Sequence, residues 1–179
     1  KEFGEANAIL AGDALLTLSF EVLATLHDTP APIKATLIAE LARAAGTVGG
    51  MIAGQVLDLE ATNNPVTPEL VEFIHRSKTA ALIRASVRMG AIGEMASDEQ
   101  IAAITKFGEC AGLAFQIADD ILDVESSSES LGKTAGKDAI QNKVTYPSVH
   151  GLDRSKKIAA VLISEASAAL ELFGKRSQR

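Results

Sequence analysis

The chain has 179 residues, 47% of them hydrophobic, enough for one cooperative domain with a core and too few to require two. Aromatic residues make up only 4%, tryptophan is absent, and Ala, Leu and Ile are spread along the whole length, a balance that predicts an all-α fold. A net charge of -6 without segregated basic clusters argues against a nucleic-acid partner, and the lone Cys110 excludes an internal disulfide and reads as a buried thiol.

Pro30, Pro32, Pro65, Pro68 and Pro147 all fall between apolar-periodic segments and divide the chain into helices. The first helix is predicted from Glu5 to Leu26, with Asp13 enclosed in its apolar run and expected to find a hydrogen-bond partner. The second starts near Pro32 and continues to about Glu60, its glycines implying close packing. Within it lies the longest charge-free stretch, Ala44 to Leu57; it is too short to cross a membrane and carries Gln55 and four glycines, so no membrane span is expected. The third helix follows the cap Thr67-Pro68-Glu69 and reaches about Gly90. The fourth opens at Ser97, which forms a capping-box pattern with Gln100, and runs to about Val124. From Glu125 to Lys137 four Ser and two Gly interrupt the periodicity, which predicts a mobile loop, and Asp153 is expected to cap a last helix ending near Phe173. Together these elements predict a bundle of long, mostly antiparallel helices around a central cavity.

Three acids interrupt an otherwise apolar helix in Phe115-Gln116-Ile117-Ala118-Asp119-Asp120-Ile121-Leu122-Asp123. One helical turn separates Asp119 from Asp123 and three residues separate Asp120 from Asp123, so the carboxylates are expected to converge on one face. Such a cluster is either a solvated acidic helix end or a site for a positive partner, and magnesium, which takes hard oxygen ligands together with substrate phosphates, is the natural one. Lys78-Thr79 in the third helix and Lys133, Lys137 and Lys143 after the acids are each ordinary surface lysines when taken singly. Placed jointly with metal-holding acids, they suit a diphosphate leaving group. Gln55 and Asp58 form a polar pair at i and i+3, either hydrogen-bonded across the bundle or facing the same cavity as the acids. His27, His75 and His150 have no zinc-like spacing, and Gly132 to Asp138 lacks the strand and glycine spacing of a P-loop.

Gly12-Asp13-Ala14-Leu15-Leu16, Gly49-Gly50-Met51 through Gln55 and Asp58, Lys78-Thr79-Ala80, Phe115-Gln116 before Asp119, and Gly132-Lys133 through Asp138 to Lys143 form an ordered set. In this order the chain resembles the trans-isoprenyl diphosphate synthases, and within them the geranylgeranyl diphosphate synthases of plant and bacterial type, over about Phe3 to Asp153. The resemblance implies that Asp119, Asp120 and Asp123 bind Mg2+ that clamps an allylic diphosphate, with Asp138 reaching the metal through water. Lys78, Lys133 and Lys143 would hold the same diphosphate, and Thr79 and Gln116 would offer oxygen dipoles to the carbocation left by ionisation. Isopentenyl diphosphate would then attack the cation and a proton would be lost, giving a longer isoprenyl diphosphate, by overall similarity geranylgeranyl diphosphate, and pyrophosphate.

Family members carry a first aspartate-rich motif, with arginines beside it, upstream of the Gly12-Asp13 segment, and it does not occur here. Residues 1–179 are therefore expected to be the C-terminal part of a longer chain, one helical domain holding half of the metal clamp and inactive alone. The chain begins at Lys1, not at a methionine, and its first residues give no expectation of a secretory leader. The resemblance further implies a homodimer in the cytoplasm, or in the plastid of a plant. Two other readings stand beside it: a non-catalytic partner subunit of a heteromeric synthase, and a terpene cyclase of the same fold, against which Lys78-Thr79 and the later lysines argue.

Overall fold

A computed structural model describes residues 2–61, 65–141 and 145–178, with the side chains of 127–141 and 175–178 outside the description. Among the described residues every regular element is helical: α1 (Glu5–Ala24), α2 (Ala31–Ala45), α3 (Met51–Ala61), α4 (Pro68–His75), α5 (Ala81–Gly93), α6 (Asp98–Gln141), α7 (Tyr146–His150) and α8 (Leu152–Ala169). A π-helical segment, Arg76–Ala80, joins α4 to α5 as one rod, and a 3₁₀ segment, Glu171–Gln178, follows α8.

The caps are local and chemical. Thr67 accepts a hydrogen bond from the Leu70 amide at the start of α4, and Ser97 and Gln100 close a reciprocal box at α6, each side chain accepting from the other's backbone N–H. Thr145 and Ser148 close a second box at α7, a short helix that the sequence pattern did not announce. Asp153 is no cap: α8 starts at Leu152 behind Gly151, and Asp153 lies in the first turn, where its charge still suits the helix dipole.

Two boundaries differ from expectation. The long helix predicted from Pro32 to Glu60 is two helices, because Gly46, Gly49 and Gly50 are poor helix formers and Gly49 adopts φ 67, a left-handed conformation that ends the ladder. The predicted loop from Glu125 to Lys137 is instead the continuation of α6, since serine and glycine weaken a helix but no proline interrupts this one.

The core forms where α6 meets α4, α7 and α8. Leu113, Ile117 and Ile121 recur every four residues on α6 and pack with Val71 and Ile74 of α4, Tyr146 of α7 and Ala159 of α8. Each such aliphatic side chain contributes about 2 kcal/mol by burial. Four polar rungs fix α6 antiparallel to the α4–α5 rod: His75 to Asp120, Thr79 to Gln116, Arg84 to Glu109 and Arg88 to Thr105. Arg88 also grips Glu40 of α2 through two bonds of 2.8 and 3.1 Å, holding that carboxyl below its ordinary range. The Cys110 thiol is buried, and burial pushes its pKa up, as befits an inert side chain.

By contrast, α1 has no buried residue; Ile9, Leu10, Leu15, Leu18 and Val22 are all exposed. Asp13 is exposed too, so the enclosed acid expected there is not found. By length and composition alone, Glu5–Ala24 and Asp98–Ser126 are apolar enough to cross a membrane. A search for charge-free runs passes over both, because Asp13 and Glu21 divide the first and several charges the second. The second stretch is one-third buried against the rest of the bundle.

Candidate functional site

The π-helical segment that carries Lys78 and Thr79 faces the middle of α6, which carries Gln116 and Asp119. Two glycines make this approach possible: a Cβ on Gly54 of α3 would lie 2.4 Å from the Lys78 amide nitrogen, and one on Gly112 of α6 would lie 2.7 Å from the Ala80 Cα. With both flanks that close, the backbone carrying Lys78 and Thr79 has little room to move.

A connected polar band results. The Lys78 ammonium donates to Asp58 Oδ2 at 2.6 Å, so the Gln55–Asp58 question is resolved for Asp58, which bonds across to the Lys78 segment, whereas Gln55 is exposed. Lysine carries three donors, and one bond to Asp58 leaves two for another anion. The Thr79 hydroxyl donates to Gln116 Oε1 at 2.8 Å, and the Gln116 amide nitrogen reaches Asp119 Oδ2 at 3.5 Å and Asp120 Oδ1 at 3.4 Å. Asp58, Lys78, Thr79, Gln116 and Asp119 are thereby assembled from three helical elements.

The acidic triplet does not share one face as the spacing suggested. Asp119 and Asp123, one turn apart, are exposed, whereas Asp120 is only 4% exposed. At 100° per residue, Asp120 turns inward from Asp119. There its Oδ2 meets His75 Nε2 at 2.6 Å and accepts the Tyr146 N–H at 2.9 Å. No zinc-like spacing marks this histidine in the sequence; the available signal is its place one turn before Thr79. The Tyr146 ring stacks obliquely on His75 with centroids 5.3 Å apart, and burial pushes its phenol up to about 12. Lys133, Lys137 and Asp138 have side chains outside the description, and Lys143 lies outside the described residues altogether.

An apolar groove of about 810 Å³ lies between α1, α2 and α5, lined among others by Leu16, Leu41, Met51, Leu82, Ser86 and Met89. Leu82, Ser86 and Met89 follow Lys78 at one-turn intervals along the same rod. Among the described residues no cluster of three or more His, Cys, Asp or Glu side chains is arranged to enclose a metal by itself.

The sequence profile of the family described as polyprenyl synthetase matches residues 1–172. Among curated proteins, geranylgeranyl pyrophosphate synthase 7, chloroplastic, of Arabidopsis thaliana is 48% identical over 176 residues, 97% of this chain and 50% of that protein. Geranylgeranyl pyrophosphate synthase, chloroplastic, of Capsicum annuum is 48% identical over 98% of this chain and 48% of its own length. The chain thus spans about half the length of the curated relatives it matches. Among solved structures, a putative farnesyl-diphosphate synthase from Marinomonas sp. MED121 superposes with a TM-score of 0.81 at 40% identity, covering 99% of this chain and 60% of that one. A geranyltransferase from Helicobacter pylori complexed with magnesium and isoprenyl diphosphate superposes at 0.78 with 36% identity, covering 97% of this chain and 56% of that one.

Proposed function

The chain belongs to the polyprenyl synthetase family, and on that premise we propose that it is the C-terminal helical domain of a trans-prenyltransferase that condenses isopentenyl diphosphate with an allylic diphosphate. The observation that carries this reading is the polar band itself, in which the Lys78 ammonium bonds to Asp58 and the Thr79 hydroxyl is linked through Gln116 to Asp119, on a rod that goes on to supply Leu82, Ser86 and Met89 to an apolar groove. Geranylgeranyl diphosphate is the favoured product, since the relatives named above carry that name.

The donor set suits magnesium. Two exposed carboxylates one turn apart are hard oxygen donors, and Mg2+ commonly takes one or two protein carboxylates with the remaining ligands from water and phosphate. Asp119 and Asp123 would hold it, with Asp138 acting through water, and when bound it supplies positive charge to the departing diphosphate. The Lys78 ammonium, with two donors beyond its bond to Asp58, would bind the same diphosphate, joined by Lys133 and Lys143. The Thr79 hydroxyl, committed as a donor to Gln116, holds both oxygens in fixed orientation toward an allylic cation.

Relatives named as synthases favour catalysis over the role of a silent partner subunit. A homodimer is supported by the outward apolar residues of α1, and a plastid location by the chloroplastic designation of the plant relatives. In the gene-encoded chain, Asp119→Ala should abolish magnesium-dependent pyrophosphate release, and undiminished turnover would overturn the proposal. Lys133→Ala should weaken allylic diphosphate binding more than it lowers the melting temperature; a large melting shift with unaltered affinity would remove that lysine from the site.

A further inference from the structure

The resemblance implies a metal-binding role for all three acids, but one of them already has other partners. Asp120 is buried, and both of its oxygens are engaged: Oδ2 by His75 Nε2 and the Tyr146 N–H, Oδ1 by the Gln116 amide at 3.4 Å. An ionised carboxylate only accepts, so a cation at Asp120 would have to displace donors that are themselves buried and would lose their partner. His75 and Tyr146 are 4% and 2% exposed, which leaves no water to replace it.

We propose that His75 is a positioning residue of the prenyl-transfer site, acting through Asp120 to fix the rotation of α6 so that Asp119 and Asp123 face the metal together. The inference rests on the reading of those two acids as magnesium ligands. Three elements converge on the Asp120 carboxylate: α4 through His75, α6 by its own backbone, and α7 through the Tyr146 amide, one of the first-turn donors that a helix leaves unpaired. A helix held at one point can still roll. The Thr79–Gln116 bond, one turn further along both helices, supplies a second point. Gln116 touches both Asp119 and Asp120, so the buried anchor and the exposed acid are tied by one amide side chain. Rolling α6 by a single residue would carry Asp119 about 100° away from Lys78 and Thr79. The pair therefore sets where the exposed carboxylates point, a role that residues behind metal ligands commonly fill and whose loss lowers metal affinity by roughly 10–100-fold.

The test uses the gene-encoded chain with Mn2+ as a paramagnetic stand-in for magnesium, its binding followed by electron paramagnetic resonance in the presence of inorganic pyrophosphate. Melting temperature without metal is measured in parallel. His75→Ala should weaken Mn2+ binding about tenfold or more. His75→Gln, whose Nε2 can replace the ring donor, should recover most of that loss. A lowered melting temperature with unchanged Mn2+ affinity in His75→Ala would overturn the proposal, leaving the pair as packing alone. Asp120→Asn keeps the side-chain volume and an acceptor for Tyr146, and decides the matter even where His75→Ala fails to fold. It should weaken Mn2+ binding markedly less than Asp119→Asn, and an equal loss would make Asp120 a ligand and overturn the inference. Intact Mn2+ binding in Asp119→Asn would instead remove the metal reading itself, so the two failures are told apart.

Discussion

Gly54 lies against the backbone of Lys78, and a Cβ at position 54 would stand 2.4 Å from the Lys78 nitrogen and 2.7 Å from its Cα. Backbone cannot yield as the tip of a flexible side chain can, so Gly54→Ala is expected to cost about 1–3 kcal/mol of stability and to displace the Lys78 segment. Gly90, with no atom within 4 Å of its would-be Cβ, is the control. Gly90→Ala should be neutral or stabilising by up to about 1 kcal/mol. Urea unfolding and pyrophosphate-binding calorimetry on the two variants check the contrast.

Thr79→Val removes the hydroxyl that donates to Gln116 while keeping its shape. If those oxygens serve the cation and not the resting substrate, kcat should fall on the order of 100-fold with KM for the allylic diphosphate nearly unchanged. Steady-state kinetics with varied allylic substrate make the measurement.

Glu40 and Arg88 join α2 to α5, and the Arg88 hydrogen bonds hold the Glu40 carboxyl below its ordinary 4.5. A depressed folded-state pKa gives stability that is complete above 4.5 and is lost as the pH falls through the lower folded value. Glu40→Gln should therefore destabilise by about 1.5 kcal/mol at pH 7. The gap to the parent protein should close in acid, as followed by denaturant midpoints across pH.

Tyr146 ionises at about 12 because burial opposes the phenolate, with the nearby Glu72 charge adding to the effect. The sign is that of a raised acid: the contribution to stability is whole below the ordinary value of 10 and is lost as the pH climbs through the folded value. An NMR titration of labelled tyrosine, with Tyr146→Phe identifying the signal, should show this late ionisation and its return to about 10 on unfolding.

Periodicity and caps carried most of the helices into view, because a bundle of amphipathic elements writes its turns and first residues locally. Thr67, Ser97 and Gln100 act as their types and spacing suggest. What stayed hidden was long-range or conformational. The left-handed φ of Gly49 divides a helix that composition alone joins, and the persistence of α6 past Glu125 depends on the absence of proline more than on propensity. At the site, Thr79, Gln116 and Asp119 are linked by hydrogen bonds, whereas Lys78 bonds to Asp58 of α3. The inward turn of Asp120 was not legible, since spacing of i, i+1 and i+4 gives relative angles but not which side of the helix its neighbours occupy. His75 lies 45 positions away and nothing local links the two.

The segment Arg76–Ala80 winds with one residue more per turn pairing than the helices it connects, so α4 and α5 form a single axle with a phase offset built into its middle. The faces of α4 and α5 are set relative to each other by that offset, so that His75 meets Asp120 and Arg84 meets Glu109 along one partner helix. Excising one residue would rewind the axle to ordinary pitch and turn the α4 face that carries His75 by about 100° relative to the α5 face that carries Arg84 and Arg88. The simultaneous engagement of all four rungs along α6 is thus a matter of helical gearing, decided by a single inserted position.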